Sequence, residues 1–117
     1  MLDRTLSSDE RRLLIDLAGR FRMRYGDRLE RFLIFGSRAR GDASEESDID
    51  VLVLLVGSPG DEDREITPAW ELAGEAMKST HTHAPLSLLV LSTERFAELK
   101  RRERRFALDV EAEGIAL

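Results

Sequence analysis

Asp48 and Asp50 stand two residues apart at the opening of an apolar run, Val51 to Val56, and eleven residues before Asp48 lies Ser37. Ser37 follows Gly36, where another apolar run, Phe32 to Phe35, stops. Side chains alternate along a strand, so a strand beginning near Ile49 turns Asp48 and Asp50 to one side and Ile49 into the protein. Two like charges held side by side repel. The pair is tolerable if it is exposed or if a divalent cation sits between the carboxylates, and hard Mg²⁺ favours one or two carboxylates plus substrate phosphates. Gly36 lets backbone approach a ligand with no Cβ in the way, and Ser37 adds a hydroxyl and an N–H. Arg38, Ala39 and Arg40 can then start a helical turn whose N-terminus favours anions. Phosphate at the turn and metal on the next strand would together form a nucleotide site. The plain alternative is a turn at Gly36-Ser37 and a polar strand start at the aspartates.

The pattern of Gly-Ser followed about a dozen residues later by two carboxylates alternating with apolar residues resembles the nucleotidyltransferase superfamily related to DNA polymerase beta. Within it, the short chain and the form GSRARG…SDIDVLV are similar to the minimal nucleotidyltransferases, which are often paired with a helical HEPN-type protein. The motif covers Phe32 to Val56, and the order of elements agrees over most of the rest.

The resemblance implies transfer of a nucleoside monophosphate, AMP from ATP, to a protein or RNA hydroxyl, with pyrophosphate leaving. It implies two Mg²⁺ ions held by Asp48 and Asp50, and β- and γ-phosphates gripped at Gly36 and Ser37. Arg38 or Arg40 would offset developing charge. It also implies a HEPN-type partner, with this chain as the antitoxin half of a toxin–antitoxin pair. The family usually carries a third carboxylate on a neighbouring strand, completing a metal site and acting as base. The matching strand here is LSLLVL, and the expected position falls on Ser87. A serine cannot supply that charge, so a catalytically weak or inactive nucleotide- or partner-binding module is the competing reading.

The elements that must position these residues can be read on either side. Ser7-Ser8-Asp9-Glu10 forms a capping box with Ser7 as N-cap. It opens a helix to about Tyr25 that buries Leu13, Leu14, Leu17, Ala18 and Phe21, with its arginines in solvent and Gly26 as its stop. The loop Gly41 to Ser47 holds Asp42, Glu45 and Glu46, read as surface acids. A strand from Ile49 to Val56 ends at Gly57-Ser58-Pro59-Gly60, and Asp61 to Glu65 continues as loop. Thr67 as N-cap with Pro68 at N1 predicts a helix to about Lys78 that buries Ala69, Trp70, Ala73, Ala76 and Met77. His81 and His83 fall in a solvated loop. Leu86 to Leu91 is a third strand, and Ser92-Thr93 caps a last helix that runs past Phe106 to Val110. Its arginines and lysine form a charged face, with partner docking or phosphate contact as the sharper use. Gly114 ends it, leaving Ile115 to Leu117 to pack back.

The expected fold is therefore α/β (α+β), a single domain over residues 1–117 with a small mixed sheet flanked by helices, the Gly-Ser turn and the aspartates converging at one edge. With no cysteine, neither a disulfide nor a thiolate metal site enters. A net charge of −5 disfavours broad nonspecific nucleic-acid binding. No apolar run is long enough for a membrane span, and the polar N-terminus is unlike a secretory signal, so a cytoplasmic protein is expected. A homo-oligomer is compatible with the sequence.

Overall fold

The computed structural model describes residues 6–40 and 48–117, without the side chains of Ser37 and Arg40. Asp42, Glu45 and Glu46 lie outside the described residues. Helix α1 spans Ser8–Tyr25 and begins with the predicted capping box: Glu10 N–H donates to Ser7 Oγ at 3.1 Å, and Ser7 N–H donates to Glu10 Oε1 at 2.9 Å. Strand β1 (Leu29–Phe35) runs straight into the short helix α2 (Gly36–Arg40), the helical turn expected after the Gly-Ser step. Strand β2 covers Ile49–Leu55, helix α3 Ile66–Thr80 and strand β3 Leu86–Ser92. Helices α4 (Thr93–Arg101) and α5 (Arg105–Glu113) precede a two-residue strand β4 (Ile115–Ala116).

The strands form one mixed sheet in the order β3-β2-β1-β4. β1 is antiparallel to both β2 and β4, and β3 is parallel to β2. The period-2 alternation of β2 decides the layers. Ile49, Val51, Val53 and Leu55 face α1 and α3, packing with Leu13, Leu14, Leu17, Phe21 and the alanines of α3. Leu52 and Leu54 face the other way, with Leu91, Phe96, Ala107 and Val110 beneath α4 and α5. A sheet apolar on both faces needs cover on both, and the result is helix, sheet, helix.

Four expectations are corrected. Residues Asp61–Glu65 form a 3₁₀ turn that leads directly into α3, so the helix starts at Ile66 and Thr67 lies inside it. The chain is already helical at Glu65, and no side-chain cap is used there. Trp70 is 45% exposed: Ala69, Ala73 and Ala76 hold α3 close to the sheet, and Trp70 is one residue off that inner face. The predicted single last helix is two, broken at Arg102–Arg104 where Glu103 takes a left-handed φ of 54°. Finally, the aspartates and the Gly-Ser turn meet at one end of the central strand pair β1 and β2, where an edge of the sheet was expected.

The terminal residues do pack back, as β4 against Leu33 and Ile34. Among the described residues no helix is long and apolar enough to cross a membrane.

Candidate active site

The antiparallel register of β1 and β2 sets Phe35 opposite Asp50, which brings the end of one strand to the start of the other. The next residue, Gly36, has φ +74°, a left-handed conformation that glycine adopts without steric cost. A Cβ built on Gly36 would lie 2.6 Å from Asp50 Oδ2. Backbone and carboxylate therefore touch only because residue 36 has no side chain. Burial raises the Asp50 carboxyl above its ordinary value of 3.8, and the neighbouring charge of Asp48 raises it further. Asp48 itself is exposed. The two groups thus feel each other's charge.

Asp50 pairs with Ser87 on the parallel side, so the serine occupies the register position flanking the carboxylate on β3. Ser87 is exposed. The donors at this end of the sheet are hard oxygens, which suit a hard divalent cation. Among the described residues no group of three His, Cys, Asp or Glu side chains forms a metal cage. A cation here would draw on Asp48 and Asp50 and complete its shell with phosphate and water.

Arg38 is 4% exposed, and its guanidinium donates to Glu10 Oε2. Burial by itself would raise the Glu10 carboxyl; hydrogen bonds from Arg38 and Ser7, with the charge of Arg38, bring it below its ordinary 4.5. One carboxylate thus caps α1 through Oε1 and holds α2 through Oε2. Sequence reading found Glu10 as a cap and missed this second use. Its only signal would have been that an arginine placed beside the apolar Ala39 needs an anion once buried. Arg40 lies in α2, and its side chain, like that of Ser37, falls outside the description. His81 and His83 are exposed, the former closing α3 in a left-handed conformation.

Residues 14–105 match the nucleotidyltransferase domain family. Two Methanocaldococcus jannaschii proteins, provisionally named protein adenylyltransferases, are similar over shorter stretches. One is 58% identical over 33 residues, 28% of this chain and 33% of that protein. The other is 37% identical over 46 residues, 39% of this chain and 46% of that protein. The similarity therefore spans less than half the length of either relative. A crystal structure from Sulfolobus solfataricus, provisionally named a nucleotidyltransferase, superposes with a TM-score of 0.51 at 22% identity, covering 97% of this chain and 85% of that one. A toxin–antitoxin structure with AMP-PNP aligns at a TM-score of 0.47 and 20% identity, over 86% of this chain and 68% of that one. With the matched region spanning strand, turn, aspartate pair and third strand, the chain belongs to the nucleotidyltransferase domain family.

Proposed function

We propose that the chain transfers a nucleoside monophosphate, AMP from ATP, to a hydroxyl of a protein. The observation that carries this is the contact between the Asp50 carboxylate and the side-chain-free Gly36, with Asp48 alongside. Gly36 and Ser37 would lie against the β- and γ-phosphates and fix the leaving group, since a bare backbone admits close approach. Mg²⁺, held by Asp48 and Asp50, would neutralise charge on the phosphoryl oxygens. The acceptor oxygen bonds to the α-phosphorus as the bond to pyrophosphate breaks, and the acceptor proton must leave to a base. The described residues beside Asp50 offer no third carboxylate to receive it, since Ser87 stands in register there. A protein acceptor is favoured over RNA by the two archaeal relatives' names and by the acidic balance of the chain. The motif resemblance adds a HEPN-type toxin as the protein modified and restrained, in the cytoplasm.

Ser87 favours a second reading, a nucleotide- or partner-binding module without turnover. A hydroxyl beside Asp50 supplies neither charge nor base where the family usually has a carboxylate. Calorimetric titration with a nonhydrolysable ATP analogue, with and without Mg²⁺, tests the site shared by both readings. Metal-dependent binding that disappears in Asp48→Asn/Asp50→Asn is expected; no binding to any nucleoside triphosphate sinks the enzyme and leaves partner binding alone. Label transfer from ATP to the product of the neighbouring gene, lost in Asp48→Asn, then selects the enzyme. Nucleotide binding without transfer selects the module.

A further inference from the structure

By resemblance Arg38 would meet phosphate, yet its guanidinium is engaged elsewhere. Arg38 is 4% exposed and donates to Oε2 of Glu10, 28 residues earlier in the chain. Glu10 is itself fixed in the first turn of α1, where its Oε1 accepts from Ser7 N–H at 2.9 Å and its own N–H donates to Ser7 Oγ at 3.1 Å. To reach a phosphate, Arg38 would have to leave a carboxylate that is itself largely shielded from water, and the new contact would first have to offset that loss.

The helix that carries Arg38 depends on outside contacts for its place. α2 has five residues, too few for its own hydrogen bonds to hold it as a helix. Gly36 lies against the Asp50 carboxylate, Ala39 is buried in the core beneath α1 and α3, and Arg38 reaches Glu10. Positions two apart on a helical turn lie on nearly opposite sides of it, so the contacts at Gly36 and Arg38 grip α2 from opposite sides. The sheet divides them in the same way. Asp50 alternates in β2 with Leu52 and Leu54, and its cross-strand partner Phe35 packs with those leucines on the side of α4 and α5. Glu10 belongs to α1, on the other side.

We propose that Arg38 is a positioning residue. With Glu10 it holds α2 against the start of α1, so that the backbone at Gly36 and Ser37 is set for the β- and γ-phosphates, and it does not itself touch them. This rests on the nucleotide reading given above and adds Glu10, far from the motif in sequence, to the groups on which nucleotide affinity depends.

The two roles for Arg38 give opposite signs in one variant. In Glu10→Gln the amide oxygen can still accept from Ser7 N–H, so the cap is kept, while Arg38 loses the Glu10 charge. Loosening a positioning contact weakens nucleotide binding, whereas releasing a phosphate ligand strengthens it.

Calorimetric titration of the whole chain with a nonhydrolysable ATP analogue and Mg²⁺ reads that sign, with Ser7→Ala as the control that weakens the same end of α1 and leaves Glu10 and Arg38 in place. Affinity is expected to fall about five- to tenfold in Glu10→Gln, as a charge-assisted bond becomes a neutral one, and to stay unchanged in Ser7→Ala. Amide exchange gives a reading without nucleotide: the N–H groups of Ala39 and Arg40 should exchange faster in Glu10→Gln alone, with the β1–β2 ladder as protected as in the wild type. If Glu10→Gln does not fold, Glu10→Asp, which draws the charge back by one methylene, carries the same signs. Tighter binding in the folded variant overturns the proposal and makes Arg38 a phosphate ligand. Unchanged affinity overturns it as well, and so does an equal loss in Ser7→Ala, which assigns the effect to the stability of α1. A wild type that binds no nucleoside triphosphate removes the nucleotide reading and leaves exchange to decide whether Glu10 and Arg38 place α2; unchanged exchange in Glu10→Gln then overturns that too.

Discussion

Asp50 fills the space that a side chain on Gly36 would need, its Oδ2 lying 2.6 Å from where that Cβ would be. The glycine also sits at φ +74°, so any other residue is strained there irrespective of space. Gly36→Ala should destabilise the fold by about 1–2 kcal/mol from the left-handed backbone alone. It should also displace the carboxylate, and nucleotide affinity is expected to fall at least about tenfold, or 1.4 kcal/mol. Urea unfolding and calorimetry on one preparation separate the two effects. Equal nucleotide affinity in Gly36→Ala would show that the contact has no bearing on binding.

The Arg38–Glu10 pair makes a different prediction, about stability. Arg38 is buried, so removing Glu10 takes a bonded anion from a buried charge, a loss of up to about 3–5 kcal/mol. Glu10→Ala should therefore cost more than Ser7→Ala, which removes one hydroxyl from the same cap and should cost about 1 kcal/mol. Glu10→Gln/Arg38→Met should recover part of the loss, because the buried charge that Glu10 met is then removed as well. Denaturant midpoints for the four proteins decide it, and a double variant worse than Glu10→Ala would contradict the account.

What the sequence made legible follows from how local each signal is. The strand, turn and aspartate pair could be read because β2 alternates with period 2 and Gly36-Ser37 interrupts an apolar run; both cues lie within a few residues of what they specify. The same holds for the capping box of α1 and for Ser92, whose Oγ accepts from Arg95 N–H at 3.1 Å. Trp70 was misplaced because hydrophobicity alone counts a tryptophan as core, whereas the three alanines of α3 leave too little room for one. The break at Arg102–Arg104 carries no glycine or proline, so nothing local announced it. The Arg38–Glu10 bond is not legible because its partners are 28 residues apart, and no periodicity joins a helix cap to a distant turn. Ser87 was placed by resemblance, and the parallel register with Asp50 puts it at the expected position.

Glu62 illustrates a buried charge that sequence reading assigned to a loop. It is 3% exposed, accepts from Gly60 N–H at 2.6 Å and Ser92 N–H at 2.7 Å, and lies 3.8 Å from Arg95 Nε. It thereby joins the 3₁₀ turn to the start of α4. Burial opposes its ionisation, but the backbone donors and Arg95 prevail and hold its carboxyl below the ordinary 4.5. Between the folded and unfolded values the unfolded chain binds more protons, so stability rises with pH there. The contribution of Glu62 should be complete above about pH 4.5 and fade as pH falls through the lowered folded value. Glu62→Gln should cost about 1–3 kcal/mol at neutral pH and flatten the acid limb of the stability curve. An acid limb as steep as that of the wild type would show that Glu62 does not set it.

Ser87→Asp tests whether the site lacks only one carboxylate. The serine is exposed and in register with Asp50, so an aspartate there can be accommodated without repacking the core. Without a cation, a third negative charge beside Asp48 and Asp50 should lower the melting temperature, since Asp50 is already held above its ordinary value by burial and by Asp48. Mg²⁺ should then raise the melting temperature of Ser87→Asp more than that of the wild type, because a cation offsets the added repulsion. If the absent base limits turnover, pyrophosphate release should increase about 10²- to 10⁴-fold in the variant. Ser87→Asn, similar in size and uncharged, should show neither change. A Mg²⁺-dependent stabilisation without faster turnover would mean that charge at residue 87 completes a metal site while the acceptor proton leaves by another route. Faster turnover in Ser87→Asn would instead assign the effect to side-chain size.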